Sequence, residues 1–344
     1  MILYSNLELY VVRENISIFE LAKKINLNGK GFALVKDSRD RIIGIFTDGD
    51  LRRLLLRRID LNLIIKHFLK KNFIYTDKES INKKSINQKK AKQIPILSKK
   101  KKLLGVYFKS YDEKNILDTS VFILAGGLGK RMGFLTKRTP KPMLKINKRP
   151  ILENIILSFK KEGFVNFIIS VNYLAKKITS YFKTGQFLDV NIRYIKENTF
   201  LGTAGSLGLL NKKLLTDQIF IINGDVYSNL NFSDMLRIHK KEKNQITVCA
   251  KLHTFDFPYG LIEEKKKENF LNEKPKLTYL VNTGIYIINK ELLRFIKKNT
   301  YLDMNELLNL FKQKRFRIGI YSLYEPVFDI GNLKQYREIK KILP

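Results

Sequence analysis

Beyond residue 121, short apolar runs alternate with helical stretches, and this order restricts the fold more than any other feature of the chain. VFILA (121–125), NFIISVN (166–172), IFIIN (219–223) and QITVCA (245–250) each have the length and the Ile/Val/Phe content of a buried strand. Helical stretches such as RPILENIILSFKKEG (149–163) and SDMLRIHKKEK (233–243) fall between them. Strand, helix and strand in succession form crossover units, so the pattern predicts an α/β fold on a mostly parallel sheet. Open sheets of this kind bind ligands beyond the carboxyl ends of their strands.

The N-terminal third carries a weak internal repeat. FALVKDSRDRIIGIFTDGDLRR (32–53) reads as strand, turn, strand and helix, and IPILSKKKKLLGVYF (94–108) repeats the hairpin, with Gly44 and Gly105 in equivalent places. A helix over ISIFELAKKIN (16–26) precedes the first copy. Two small α/β units that cannot each bury a core are expected to pack on one another. KSYDEKNILDTS (109–120) is polar and aperiodic, a natural linker, which predicts domains over 1–115 and 119–344.

At 344 residues and 44% hydrophobic content, the chain can bury two real cores. Its formal charge of +33 invites a nucleic-acid reading. The basic residues are spread along the whole length, however, and KKKK (99–102) and KKK (265–267) fall where hairpin turns are expected. No aromatic residues interleave with them as a stacking platform, so nucleic acid is not an expected partner. The charge fits a Lys-, Asn- and Ile-rich composition such as an AT-rich genome produces. Cys249, the single cysteine, excludes an internal disulfide framework and fits a reducing compartment. His67, His239 and His253 are scattered and form no zinc pattern. The N-terminus does not read as a signal peptide, and no apolar run approaches the ~20 residues of a membrane span. The expectation is a soluble cytoplasmic protein without a membrane partner.

LAGGLGKRM (124–132) follows the first strand with small residues and then positive charge, as a loop that wraps backbone amides round phosphate requires. A dinucleotide fingerprint fits poorly: the acid about twenty residues on, Glu153, lies inside a predicted helix. A P-loop fits no better, because Gly129-Lys130 is followed by Arg131 rather than Ser or Thr.

The longer phrase LAGGLGKRMGFLTKRTPKPMLKINKRPIL resembles the signature of sugar-1-phosphate nucleotidyltransferases of the mannose-1-phosphate guanylyltransferase type. ENTFLGTAGSL (197–207), INGD (222–225), FPYGLIEE (257–264), NEKP (272–275), VNTGIY (281–286) and FDIG (328–331) follow in that family's order. The resemblance implies a Rossmann-like, GT-A-like, mostly parallel catalytic domain. It also implies attack by a sugar phosphate oxygen on the α-phosphorus of a nucleoside triphosphate, releasing pyrophosphate.

By that resemblance Leu124, Ala125, Gly126, Gly127, Gly129 and Lys130 cradle the nucleotide, with Asn172 and Gly202. Arg131 holds the β- and γ-phosphates, Lys141 the α-phosphate and Lys274 the sugar phosphate. Asp225 and Asp329 hold Mg2+, Asp225 counting with the three cations as catalytic. Phe328 stands where the family often has tryptophan. Gly202 and Thr203 line the hexose pocket with Asn282, Thr283 and Gly284, and Gly224 and Glu273 join the sugar-phosphate set.

The base is read from Glu197, where members that use uridine or thymidine triphosphates commonly have glutamine. A carboxylate only accepts hydrogen bonds, which suits the N1–H and exocyclic amine of guanine, so GTP is the expected donor over UTP or dTTP.

GIFTDGDLRR (44–53) resembles a CBS domain, which makes the N-terminal third a CBS pair. In that family Thr47 and Asp50 would hold the ribose and phosphate of an adenine nucleotide, though the same pair can simply cap the helix that follows. CBS pairs imply regulation and a homodimer or higher oligomer. A CBS pair ahead of such a transferase resembles the enzymes that make GDP-glucosamine for bacterial nonulosonic (legionaminic) acids. That points to glucosamine-1-phosphate, with mannose- or heptose-1-phosphate as alternatives. A protein that senses nucleotides without turnover is the alternative of another class.

Overall fold

The computed structural model describes residues 2–3, 7–28, 30–57, 59–70, 72–77, 91, 93–108, 118–146, 148–228, 230–262, 271–274, 276–323 and 327–342. The side chains of Lys130 and Asp329 lie outside that description, as do the lysine run at 265–267 and most of the expected linker. Two units are present, Met1–Asp112 and Glu113–Pro344.

In the first unit the sequence repeat is also a repeat of register. Phe32–Lys36 pairs antiparallel with Ile42–Thr47 and slips between Val35 and Lys36; Gln93–Leu97 pairs antiparallel with Leu103–Phe108 and slips between Ile96 and Leu97. Gly44 faces Val35 in one hairpin and Gly105 faces Ile96 in the other. Each hairpin also has a parallel edge partner, Val11–Arg13 in the first copy and Thr76–Asp77 in the second. Asp40 and Lys101 turn the two hairpins with φ of 58° and 59°, so the KKKK run does form a turn. The amide of Ile42 donates to the carbonyl of Lys101 at 2.9 Å, and Phe32, Leu34 and Ile42 share one buried cluster with Leu97 and Val106. The copies therefore complete one core together. The first helix spans Ile18–Asn28, two residues later than its periodicity suggests, because Ser17 and Glu20 form a capping box at its start.

The second unit is built on a seven-stranded sheet. Its order is Asn191–Lys196, Asn166–Val171, Ser120–Leu124, Gln218–Asn223, Lys276–Asn289, Ile246–Asp256 and Ile318–Leu323. The first four strands are mutually parallel, and so is the last pair. Lys276–Asn289 runs antiparallel to both its neighbours. This strand is absent from the expected set because Asn282, Thr283 and Gly284 interrupt its apolar run.

Alternate residues of Ser120–Leu124 enter opposite layers. Val121 and Ile123 join one buried cluster and Phe122 the other, which is why the run reads as continuously apolar. Helices Ile151–Lys160 and Phe232–Lys241 cover one face, and Met304–Gln313 covers the other. No helix among the described residues is long and apolar enough to cross a membrane.

His239, on Phe232–Lys241, is buried between Thr247 Oγ1 at 2.8 Å and Asn289 Oδ1 at 3.0 Å. Burial holds its pKa below the ordinary 6.5 and outweighs the Asn289 hydrogen bond. The unfolded chain then binds a proton in a range where the folded imidazole stays neutral. Stability is therefore full above about pH 6.5 and declines as the pH falls below it. Melting temperatures followed from neutral pH downward should fall less steeply for His239→Gln than for the wild type. Equal slopes would remove His239 as the cause.

Candidate active site

Four parallel strands end together at Leu124, Val171, Lys196 and Asn223, and the residues just past those ends form the site. A cavity of about 290 Å³ lies there. Leu124, Ala125, Gly126, Gly127 and Gly129 are among its lining residues, as are Arg131, Lys141, Glu197, Gly202, Thr203, Gly224 and Asp225. Segments more than 100 residues apart in the chain thus face one another.

The glycines of the loop have different reasons to be glycine. A Cβ on Gly126 would sit 2.7 Å from Glu197 Oε1, so that position makes room for the glutamate. A Cβ on Gly127 would meet nothing within 4 Å, so its Cα faces open space on the cavity wall. Gly129 has φ of 64° and packs against Thr136 and Lys141, while Thr136 Oγ1 donates to the Gly129 carbonyl at 3.0 Å. The loop is therefore held from behind and free in front.

Glu197 is 4% exposed. Its Oε1 accepts from the Ser170 hydroxyl and its Oε2 from the amide of Leu201 at 3.2 Å. Each oxygen keeps a second lone pair. Asn172 does not line the cavity; its Nδ2 donates to the Glu197 carbonyl at 3.0 Å, which fixes the backbone of the glutamate.

Opposite the glycine loop, Lys141 reaches across to Asp225 and forms an ion pair through Oδ2. The side chains are 10% and 23% exposed, so the pair is shielded from bulk water yet opens on the cavity. Pro140 and Pro142 flank the lysine and are buried, which limits its backbone freedom. Asp225 also joins the strand pair Val226–Ser228 with Val327–Asp329: its carbonyl accepts from Ile330 at 3.1 Å, and Val226 is in register with Asp329. The backbone of Asp329 thus lies one residue along the pair from Asp225. Carboxylate oxygens suit a hard divalent cation. Among the described residues no group of three or more His, Cys, Asp or Glu forms a metal cage, so phosphate oxygens and water would have to complete the shell of such an ion.

A second cavity of about 360 Å³ adjoins the first and shares Asn223 with it. Asn282, Thr283 and Gly284 line it. Gly284 has φ of 75° and lies so near Asn223 that a Cβ there would be 2.5 Å from its Nδ2. Thr283 Oγ1 donates at 2.8 Å to the carbonyl of Cys249, where the register of Ile246–Asp256 slips.

Thr203, on the cavity rim, is tied to a residue that sequence reasoning missed. Its amide and hydroxyl donate to Asp303 Oδ1 at 3.0 and 3.1 Å, and its hydroxyl accepts from the amide of Met304 at 2.8 Å. These bonds, led by the Thr203 amide, lower the pKa of Asp303. Glu273 and Lys274 line neither cavity. They lie on the exposed segment beside the short pairing of Leu271–Asn272 with Leu261–Ile262. In the first unit, Thr47 caps Asp48–Leu56, and the Asp50 carboxylate accepts from the Thr47 amide at 3.0 Å and hydroxyl at 2.7 Å.

With this geometry established, comparison with known proteins decides the family. The nucleotidyl transferase profile matches residues 120–343. The chain belongs to the nucleotidyl transferase family. The CBS domain profile matches residues 5–57.

D-glycero-alpha-D-manno-heptose 1-phosphate guanylyltransferase of Campylobacter jejuni is 30% identical over 220 residues, covering 62% of this chain and 95% of the relative. Mannose-1-phosphate guanylyltransferase 1 of Arabidopsis thaliana is 30% identical over 228 residues, and the match spans 62% of that protein's length and 62% of this chain. HddC from Yersinia pseudotuberculosis, solved with GMP-PN, superposes with a TM-score of 0.53 at 22% identity, covering 66% of this chain and all of that one. That likeness is one of fold, and it agrees with the mostly parallel nucleotidyltransferase architecture.

Proposed function

We propose that this protein transfers GMP from GTP to a sugar 1-phosphate, giving a GDP-sugar and pyrophosphate. The observation that carries the reading is the pairing, in one cavity, of a buried carboxylate with an open glycine loop and a Lys–Asp pair. The guanylyltransferase names of the relatives support it.

Glu197 reads the base: each of its oxygens has a lone pair to spare for the N1–H or the exocyclic amine of guanine. The Gly127 amide and the Arg131 guanidinium hold the β- and γ-phosphates, and Lys141 holds the α-phosphate. The sugar phosphate oxygen attacks the α-phosphorus in line, the bond from that phosphorus to the bridging oxygen breaks, and pyrophosphate leaves with the electron pair. Fixed cations at the developing charge supply the main stabilisation. A Mg2+ ion held by Asp225 and Asp329 would add charge neutralisation at the triphosphate. Lys274 and Glu273 serve the sugar phosphate from the exposed segment. Thr47 and Asp50 are proposed for an adenine nucleotide, and the CBS unit for assembly into a homodimer or higher oligomer. Glucosamine-1-phosphate, mannose-1-phosphate and heptose-1-phosphate are the acceptors to be tested.

Pyrophosphate release with Mg2+ tests the reading, crossing GTP, UTP, dTTP, CTP and ATP with those acceptors. Rapid release with GTP supports it. Release with UTP alone would overturn the role of Glu197, and no release from any pair would favour a sensing protein. Glu197→Gln keeps the shape and offers the Ser170 hydroxyl a donor. It should lower the preference for GTP over UTP by about ten- to a hundredfold, as expected for one lost base contact. An unchanged preference would remove Glu197 from base selection.

A further inference from the structure

Phe200 lies inside the segment ENTFLGTAGSL, yet phosphate, metal and base-edge chemistry have no use for a phenyl ring. It is 46% exposed, and among the described residues lining the first cavity it is the one aromatic side chain. A single exposed ring is common on a protein surface and by itself asks for no ligand. This one, however, is held in place from two sides.

The amide of Leu201, the next residue, donates to Glu197 Oε2 at 3.2 Å, and the Leu201 carbonyl accepts from the amide of Leu302 at 3.0 Å. Gly202 turns the chain with φ of 77°, so near this segment that a Cβ would lie 2.5 Å from the Leu302 carbonyl. Tyr301 packs on the Phe200 ring at 6.0 Å between centroids, and its hydroxyl donates to Asp303 Oδ2 at 2.8 Å. The other oxygen of Asp303 holds Thr203, on the far side of the same turn. A half-exposed ring is thus braced at the cavity, one residue from the amide that meets the Glu197 carboxylate.

A carboxylate reads a base along its edge, in the plane of the ring, and leaves both faces of the base uncovered. Those faces are what an aromatic side chain binds, and such stacking tolerates any base because every base has a π-face. Resting on the proposed nucleotidyl-transfer reading, we propose that Phe200 is the platform on which the base of the donor nucleotide stacks. Glu197 then selects the base, and Phe200 supplies binding that no edge contact gives.

The chain has no tryptophan, so Phe200→Trp places a lone fluorescent reporter at this position. GTP should quench its emission saturably, and inorganic triphosphate should not. In calorimetry with Mg2+, Phe200→Ala should bind GTP about ten- to a hundredfold more weakly than the wild type, the loss of one base–aromatic stack, and should bind inorganic triphosphate as the wild type does. Phe200→Tyr, which keeps the ring, should restore GTP binding. GTP bound by Phe200→Trp without quenching, or bound by Phe200→Ala as tightly as by the wild type, would overturn the proposal. So would a loss for triphosphate as large as that for GTP, since the ring would then only shape the loop. The same titrations with UTP, dTTP, CTP and ATP separate this proposal from the guanine reading. If the wild type binds one of these and not GTP, the role of Glu197 fails, and quenching by that nucleotide still decides the platform. If the wild type binds no nucleotide, both fall.

Discussion

Asp225→Asn is expected to slow pyrophosphate release on the order of a thousandfold. Asparagine keeps the size of the side chain and removes the charge. Two things go with that charge: the anion that positions the Lys141 ammonium, and the carboxylate proposed for Mg2+. The fold should survive. The pair is shielded but opens on the cavity, so its loss lies between an exposed and a fully buried ion pair, on the order of 2 kcal/mol. For a unit of this size that lowers the melting temperature by about 4–8 °C, with secondary structure unchanged by circular dichroism. Near wild-type turnover with Mg2+ present would end the metal role for Asp225. Loss of secondary structure would instead make the residue structural.

Phe159→Ala should have the largest effect on stability. Phe159 is fully buried on Ile151–Lys160 and meets four other phenylalanines. Phe232 stacks on it at 3.6 Å between ring centroids, and the rings of Phe164, Phe167 and Phe220 present edges at 5.4, 6.3 and 5.3 Å. Truncation removes the ring and leaves a cavity that such a packed cluster cannot close, at a cost of about 3–5 kcal/mol. The melting transition should fall by about 10 °C, and Phe159→Leu, which keeps most of the volume, should lose less than half of that. A fall of a degree or two would mean that the cluster relaxes around the gap.

Some of the site was legible because its signals are local. The strand SVFIL runs into the glycines of AGGLG, IFIING is followed at once by Asp225, and both facts stand in consecutive residues. The roles of individual glycines were not legible. Gly126 and Gly127 are neighbours of the same type, yet one makes room for Glu197 and the other faces open space. Asn172, expected in the nucleotide set, also fixes the Glu197 backbone through its Nδ2, a tie that no local signal shows. Asp303 carries no motif, since nothing near it in the chain marks its partner.

The order of apolar runs and helical stretches determined the α/β class, because burial on both faces of a parallel sheet demands runs of that length and composition. The repeat in the N-terminal third likewise foretold its paired hairpins. Only the tertiary structure brought Lys141 to Asp225 across 84 residues and Thr203 to Asp303 across 100. Periodicity records which way each residue faces. Which side chains then meet depends on strand order and register, and here an antiparallel strand that the sequence conceals sets both.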